Sequence, residues 1–326
     1  MRADIRYNNI IDSDQARQAQ AAADEGASLH HDLIDPRKFY ITQHYTKYTR
    51  ENHDVWRELF TRRWGVLEQQ VSRTFIEGLK ILRLSGDRIP LLCDTTLERD
   101  CEVAGGVVLK KGTRLEGINK YLGEVSDWAS YGVPGYLPAK SFFGCLAHRQ
   151  FPTTVLIRPR EVMDYLPEPD IFHDVFGHVP LHASRVFADF LQTYGKAALM
   201  CEDPAHIERL GRLFWFTVEF GLIKEDGRVK VYGSGLVSSH GESAYSLTGA
   251  WEKKPDGPDS AKPCTQRPVP EWRPFDLERV CSTPFEIDHY QPIYYVLESF
   301  EQLRDAMNEY AEEVIGKAGL AMASRH

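Results

Sequence analysis

The clearest hydrophobic periodicity in the chain begins at Asp54. From there apolar residues recur every three or four positions for about seven helical turns, which is the pattern of a helix that buries one face. The members of this stripe are Trp56, Leu59, Phe60, Trp64, Leu67, Val71, Phe75, Leu79 and Leu82. Asn52 or Asp54 could cap the start of the helix, and Ser85-Gly86-Asp87 followed by Pro90 would end it. The pattern therefore predicts one long, half-buried helix.

The other strong helical patterns lie in the second half of the chain. Apolar spacing predicts a helix over about 184–200, a second from about Ala205 into the segment WFTVEF, and a last one over about 298–315. Residues 1–35 are polar and weakly periodic, so we expect a mobile N-terminal arm. Because there is no internal repeat and no clean linker, we expect 36–326 to form one mainly α-helical domain with small β elements.

The β signals are short and separated by loops. Gly-broken, β-branched runs predict a small hairpin within 91–117, and residues 229–236 predict a short strand. The stretch 118–149 carries many turn signals and is predicted to be rich in loops. Residues 250–275 are rich in Pro, Lys and Asp, which indicates a surface excursion.

Composition narrows the class of protein. The chain has 326 residues, a formal net charge of −8 and 42% hydrophobic residues, as expected of a globular protein. The negative charge argues against binding to a nucleic-acid backbone, and no apolar run approaches the ~18 residues that span a bilayer. Six scattered cysteines without a C-x-x-C pair, and no apolar secretory segment, indicate a cytoplasmic protein. The 16 Phe, 15 Tyr and 6 Trp could build a core and also line a pocket for a flat ligand.

The segment 167–180 holds two histidines with unusual spacing. His173 and His178 are five residues apart, and neutral imidazole is the commonest protein ligand for transition metals. On an ideal α-helix two such residues point about 140° apart, so their rings converge only if the helix is distorted or ends between them. Gly177 and Pro180 are well placed to end it. The H-E-x-x-H spacing of zinc proteases is not present, which argues against that class.

A third ligand is suggested by Glu219, a carboxylate within the nearly continuous apolar run 214–222. A buried, unpaired carboxylate is costly, so this one is either paired or bound to a metal. Two histidines and one carboxylate form the facial triad of non-haem Fe(II) oxygenases, which leaves coordination positions open for O2. The alternative is that both histidines are core residues whose ring nitrogens are satisfied by Asp170 and Asp174.

Several segments together resemble a known family. The segments ENHDVWRELFTRR, PEPDIFHDVFGHVPL, LFWFTVEFGL, YGSGLVSSHGE and IDHYQPIYYVLESF are similar, in the same order, to the pterin-dependent aromatic amino acid hydroxylases, and to the bacterial phenylalanine 4-hydroxylases in particular. The resemblance covers roughly 39–315. It implies the single-domain catalytic fold of that family and an Fe(II) bound by His173, His178 and Glu219. It also implies a tetrahydropterin co-substrate, O2 activation and conversion of L-phenylalanine to L-tyrosine.

The resemblance also assigns roles to polar side chains. Arg158 matches the arginine that holds the substrate carboxylate, for which its planar guanidinium is suited. Three residues match catalytic positions around the metal: Asp170, Ser238 and Glu242. Asp170 corresponds to an acid between that arginine and the first histidine ligand, and Ser238 to a serine near the metal histidines.

The aromatic and loop positions carry over in the same way. Phe142 matches the aromatic residue that stacks on the pterin, and Gly135, Tyr136 and Leu137 match the loop that contacts the pterin edge. Pro169, Phe172 and Trp215 match the pocket for the substrate ring. Trp215 and Ile287 occupy positions that differ between family members, and both residue types favour phenylalanine as substrate.

The chain also departs from the family pattern. His240 stands where the family usually has Phe, and the stretches at about 91–117 and 250–275 have no counterpart, so we expect them to be surface insertions. These departures leave open an alternative with the same chemistry but another outcome, namely 3-hydroxylation of phenylalanine or hydroxylation of tryptophan. The expected partner is a small aromatic amino acid, with neither nucleic acid nor membrane involved. Because the sequence shows no regulatory or tetramerisation segment, we expect a monomer.

Overall fold

The computed structural model describes residues 35–103, 107–163, 169–200, 203–251 and 262–323. Apart from Asp35, the predicted N-terminal arm lies outside the described residues. Among the helices in these ranges, none is long and apolar enough to cross a membrane.

Helices make up most of the described structure, as the sequence predicts. Twelve α-helices are named in chain order: α1 Arg50–Trp64, α2 Leu67–Gln70, α3 Arg73–Ile81, α4 Ile118–Val125, α5 Ala139–Ala147, α6 Val179–His182, α7 Arg185–Leu199, α8 Pro204–Phe214, α9 Ser234–Ser238, α10 His240–Thr248, α11 Leu277–Ser282 and α12 Phe300–Ala323. Two short π-helical segments interrupt this order, π1 at Phe172–His178 and π2 at Trp215–Glu219. Three 3-10 turns lie at Pro36–Phe39, Tyr45–Lys47 and Arg160–Val162.

Ten short strands form small sheets in the described part of the chain. They are β1 Thr95–Thr96, β2 Cys101–Val103, β3 Val107–Leu109, β4 Arg114–Leu115, β5 Ala129–Val133, β6 Gln150–Thr154, β7 Leu222–Glu225, β8 Arg228–Val231, β9 Glu271–Pro274 and β10 Ile293–Leu297. The largest sheet has the order β8-β7-β10-β9, in which β10 runs parallel to both β7 and β9. The fold class predicted from the sequence, mainly α with small β elements, is confirmed.

The long helix predicted from Asp54 is wrong as a single element, because the stripe is divided among α1, α2 and α3. The chain leaves the helical conformation at Val71, which forms an isolated parallel bridge with Val231, and Ser72 then caps α3 by accepting a hydrogen bond from Phe75 N. The stripe itself is buried except for its Trp64 side chain, which is 52% exposed. A periodic pattern thus identifies the buried face correctly but does not detect a break that leaves the face aligned.

The boundaries of this region also differ from the prediction. Helix α1 begins earlier, because Thr49 is its N-cap and Asn52 completes a capping box instead of acting as the cap. At the other end, α3 stops before the predicted turn, and Arg83 adopts a left-handed conformation with φ 53°.

The prediction that 118–149 is rich in loops is also wrong. This stretch contains α4, β5 and α5, and β5 pairs in parallel with β6. Helix α5 is apolar on nearly every side and packs against α7, where a Cβ on Gly195 would lie 2.5 Å from Ala147 N. Continuous apolar runs with glycine have no helical periodicity, so the sequence pattern does not predict this helix.

The remaining predictions are confirmed only in part. The stretch 91–117 contains the antiparallel hairpin β2–β3 and the pair β1–β4. The predicted strand at 229–236 ends at Val231, and α9 starts three residues later. Within 250–275, residues 252–261 lie outside the described residues, while β9 is part of the main sheet and not a surface excursion. The last helix, α12, extends beyond the predicted end to Ala323.

A continuous hydrophobic core extends from Ile41 to Ala311. Segments π1 and π2 and helix α9 meet within it, so side chains on their facing sides are held by packing on rigid elements. The polar residues predicted to act together lie at this junction.

Candidate metal centre and surrounding pocket

The two histidines converge because π1 is not an α-helix. In a π-helix the hydrogen bonds close from residue i to i+5, so side chains five residues apart lie on one face. His173 Nε2 and His178 Nε2 are 3.2 Å apart. The predicted distortion is therefore confirmed, but Gly177 and Pro180 do not end the helix, which continues as α6.

Gly177 has a packing role instead. A Cβ at this position would lie 3.1 Å from Ser234 O and 3.2 Å from Ser234 Cβ. The glycine thus lets α9 approach π1 closely, which brings the hydroxyls of α9 up to the histidine rings.

Glu219 is the last residue of π2 and faces both histidines. Its Oε1 lies 3.1 Å from His178 Nε2, and its Oε2 lies 3.6 Å from His173 Nε2. Ser234 Oγ donates a 2.8 Å hydrogen bond to Oε2, which fixes the carboxylate. Residues predicted from two separate sequence signals, the histidine pair and the glutamate in an apolar run, therefore meet at one point.

The geometry of these three groups, and the pKa shifts of His173 and Glu219, fit a divalent metal ion. Ligand atoms about 2.1 Å from one ion and at right angles to each other lie about 3 Å apart, close to the distances found here. Burial lowers the pKa of His173 to about 4, so the imidazole is neutral at pH 7 and offers a lone pair. Burial alone would raise the pKa of Glu219, but the two histidines and hydrogen bonds outweigh it and lower this pKa to about 2.

The two acids near the histidines do not bond to the ring nitrogens. Asp170 Oδ1 accepts from the main-chain N–H of His173, and Asp174 Oδ2 accepts from the main-chain N–H of Thr154. The ring nitrogens face Ser238, Ser234 and the Glu219 carboxylate instead. The alternative of core histidines satisfied by Asp170 and Asp174 therefore does not describe this site.

Ser238 sets the orientation of the first histidine. Its hydroxyl donates to Ser234 O at 2.7 Å, and the oxygen lies 3.0 Å from His173 Nδ1. Because the Ser238 hydroxyl donates its hydrogen to Ser234 O, the Ser238 oxygen must accept the proton on His173 Nδ1. His173 Nε2 is therefore the unprotonated nitrogen, and it faces Glu219. Ser234 was not singled out from the sequence, because a serine in a Gly-rich segment carries no signal of its partners.

Arg158 and Asp170 form a buried, bidentate ion pair. Arg158 Nε donates to Oδ2 at 2.8 Å and Nη2 donates to Oδ1 at 2.9 Å, while the Arg158 main-chain N–H donates to Oδ2 at 2.9 Å. Burial opposes ionisation of Asp170, but the charge of Arg158 and these hydrogen bonds outweigh it and lower the pKa of the carboxyl. Because Asp170 also bonds to the backbone of His173, it fixes the guanidinium relative to the metal ligands.

Glu242 is a second buried carboxylate, on α10. Its Oε1 accepts hydrogen bonds from Gln291 N at 2.9 Å and from Tyr294 Oη at 3.0 Å. Burial raises the pKa of Glu242 to about 7, although both hydrogen bonds act in the opposite direction. The carboxyl therefore changes its charge near neutral pH.

Trp215 begins π2 and is held by neighbours that were not predicted. Its indole stacks on Phe285, with ring centroids 4.4 Å apart and an interplanar angle of 15°, and contacts Phe220 at 4.6 Å. The indole Nε1–H donates to Gln291 Oε1 at 2.9 Å. Phe285 and Gln291 lie in a segment without periodicity, so no local pattern in the sequence identifies them as neighbours of Trp215.

The other residues predicted to contact the substrate differ widely in burial. Phe172 is fully buried, stacked on Phe176 and edge-on to Trp56, so its side chain is part of the core. Ile287 is 68% exposed and lies at the surface. Pro169 is half-buried.

Phe142, which is predicted to stack on the pterin, is connected to the histidines through one aromatic ring. Phe142 is half-buried and packs edge-to-face on Phe214, whose ring is 6.3 Å from that of His178. In the neighbouring loop, Gly135 faces open space, Tyr136 is 64% exposed, and Leu137 packs on a small cluster with Phe39 and Val133.

The chain is similar to known proteins in both sequence and structure. The family model described as "Biopterin-dependent aromatic amino acid hydroxylase" matches residues 40–320. Phenylalanine-4-hydroxylase from Chromobacterium violaceum is 36% identical over 282 residues, covering 86% of this chain and 80% of the relative. The corresponding protein from Ralstonia nicotianae is 34% identical over 294 residues, covering 90% and 79%. A solved structure of the Chromobacterium violaceum enzyme with bound iron(III) and 7,8-dihydrobiopterin has a TM-score of 0.68 and 33% identity, with 92% of each chain covered.

Proposed function

The chain belongs to the biopterin-dependent aromatic amino acid hydroxylases, and on this basis we propose that it converts L-phenylalanine to L-tyrosine with O2 and a tetrahydropterin. The observation that carries this proposal is the convergence of His173, His178 and Glu219, whose ligand atoms lie 3.1 to 3.6 Å apart. These three residues would hold an Fe(II) ion. The similar proteins from two bacteria are named phenylalanine-4-hydroxylases, which supports phenylalanine as the substrate.

When bound, Fe(II) and the tetrahydropterin supply the activation of O2, and the protein supplies positioning. Ser238 holds the tautomer of His173 that presents its Nε2, and Ser234 holds the Glu219 carboxylate. The remaining coordination positions stay open because only three protein groups converge among the described residues at this point.

The substrate would be oriented by a cation and a ring. Arg158 would receive the amino acid carboxylate, because the buried Asp170 keeps its guanidinium in a fixed plane. Trp215 would form one wall for the phenyl ring, and Phe142 with the loop 135–137 would receive the pterin. Glu242, with a pKa of about 7, could hold or release a proton beside this pocket.

We also propose that the chain acts as a monomer in the cytoplasm, with residues 36–326 as its catalytic domain. The free thiols of Cys93, Cys145, Cys264 and Cys281 support a reducing compartment. His240 is exposed, so its position gives no support to an altered product.

The test is product analysis after anaerobic loading with Fe(II), followed by addition of phenylalanine, tetrahydropterin and O2. We expect para-tyrosine as the main product, with none formed when either iron or pterin is omitted. Glu219→Ala should lose both bound iron and tyrosine formation, whereas Glu278→Gln, which changes an exposed glutamate, should retain both. Meta-tyrosine as the main product, or faster hydroxylation of tryptophan, would replace the proposal with the alternative outcome.

A further inference from the structure

Gln291 lies at the centre of a hydrogen-bond network beside the predicted substrate pocket. The residue is only 2% exposed. Its side-chain Oε1 accepts from Trp215 Nε1, and its main-chain N–H donates to Glu242 Oε1, each at 2.9 Å. Its Nε2 donates to the main-chain oxygens of Glu286 at 2.9 Å and His289 at 3.4 Å.

The chemistry of these partners requires an amide at this position. An indole N–H is only a donor, so the atom that faces Trp215 must be an acceptor. Main-chain oxygens only accept, so the atom that faces Glu286 and His289 must be a donor. The network thereby fixes which end of the Gln291 amide is oxygen. A glutamate could only accept from the indole, and a hydrocarbon side chain could make none of these hydrogen bonds.

The same contacts hold the indole of Trp215 in one orientation. One face of the ring stacks on Phe285, and Phe220 packs beside it. The indole has a single polar atom, and Gln291 provides its hydrogen bond in a buried setting. Rotating the ring would break this bond and the stack together.

Gln291 also connects the ring to the neighbouring turn. The turn 286–289 is held by the two hydrogen bonds from Nε2, and the exposed Ile287 lies between the residues that accept them. Trp215 and Ile287 are the two positions at which the sequence favours phenylalanine. A single side chain therefore fixes the elements that carry both of them, while its backbone is tied to Glu242.

We propose that Gln291 is a positioning residue that seats the aromatic ring of the substrate, by fixing Trp215 and the 286–289 turn relative to Glu242. This inference rests on the proposed function, since it assumes that Trp215 contacts the substrate. It predicts that loss of the Gln291 side chain weakens phenylalanine recognition while the iron ligands stay in place.

The first experiment observes the indole directly and does not depend on turnover. The chain has six tryptophans, so 15N-labelled indoles give six resonances, and Trp215→Phe identifies the one that belongs to Trp215. Gln291→Met, which keeps the length of the side chain but removes its polar atoms, should shift this resonance and speed its hydrogen exchange. Thr283→Val is the matched control, because it removes a buried hydrogen bond to Tyr295 Oη without touching Trp215 or Glu242. An unmoved Trp215 resonance in Gln291→Met would overturn the proposal.

The second experiment measures kinetics with the iron-loaded variants. Gln291→Met should raise KM for phenylalanine by about tenfold with a smaller change in kcat, as expected for a lost pocket contact. Gln291→Glu keeps the acceptor for the indole and should recover part of this loss. The double variant that combines Gln291→Met with Trp215→Phe should have a KM no higher than that of the more impaired single variant, because both substitutions act on one contact.

Two outcomes of the kinetics separate the inference from the function on which it rests. If Gln291→Met and Thr283→Val have the same KM for phenylalanine, positioning by Gln291 is refuted although the enzyme is active. If the unmodified protein forms no hydroxylated product, the proposed function fails, and the indole resonance still decides whether Gln291 fixes Trp215.

Discussion

The buried carboxyl of Glu242 makes a quantitative prediction about stability. Its pKa is about 7 in the folded protein, against an ordinary value of 4.5, and burial is the cause. The folded state therefore binds the proton more tightly than the unfolded state between these two values. By linkage, the stability contributed by this group is largest below pH 4.5 and is lost as the pH rises towards 7 and beyond.

The perturbation is Glu242→Gln, which removes ionisation but keeps the contacts. Both hydrogen bonds to this side chain end at Oε1, and the amide oxygen of Gln can accept both. Between pH 5 and pH 8, a pKa shift of this size should lower the free energy of unfolding of the unmodified protein by about 2–3 kcal/mol. We therefore expect the variant to match the unmodified protein near pH 5 and to exceed its stability by about that amount at pH 8.

Urea unfolding at a series of pH values, with both proteins in the same metal state, measures this difference. Other groups titrate in the same range, but they are common to both proteins and cancel in the comparison. Glu278→Gln serves as the control, since it removes an exposed carboxylate. If its effect changed with pH as much as that of Glu242→Gln, burial would not be the cause. A pH-independent difference for Glu242→Gln would show that the carboxyl is ionised already at pH 5, which would refute the reasoning from burial.

Further predictions concern the contacts around the metal ligands. Asp170→Asn should cost about 3–5 kcal/mol of unfolding free energy, because it leaves the buried Arg158 without its counter-charge. Glu278→Gln, which breaks the exposed pair with Arg209, should cost less than about 1 kcal/mol in the same urea titration, and equal costs would contradict the argument. Gly177→Ala should lower iron stoichiometry in equilibrium dialysis, because its Cβ would displace Ser234 from Glu219. Gly123→Ala, in open space on α4, should bind iron normally and be unchanged or stabilised by up to about 1 kcal/mol.

The sequence was most informative where a residue type has few explanations. A glutamate in an apolar run had to be paired or coordinating, and Glu219 lies within 3.6 Å of both histidines. It was least informative where function depends on partners distant in sequence. Gln291 contacts Trp215 across 76 positions and Glu242 across 49, and no local pattern encodes such contacts.

The errors in the predicted fold also arise from contacts between residues that are distant in sequence. The periodicity from Trp56 to Leu82 correctly predicts a buried face, but the break at Val71 depends on a bridge to Val231 that forms only in the folded chain. The resemblance places Phe172 in the substrate pocket, whereas its side chain packs in the core between Trp56 and Phe176. On a π-helix, neighbours in sequence face different directions, so Phe172 can lie in the core although the next residue, His173, faces the metal centre.

The two π-helical segments explain why the histidine spacing is five and not four. An α-helix would bring residues four apart onto one face, as in the zinc-protease motif, whereas π1 brings His173 and His178 together at i and i+5. Glu219 ends the second such segment, and Gly177 allows α9 to contact both histidines through Ser234 and Ser238. π-Helical turns are rare because their backbone is less favourable than that of an α-helix, so their presence at both ligand-bearing segments requires compensation by the buried core around them. The spacing, the distortion and the surrounding apolar residues are therefore one structural solution, in which each part depends on the others.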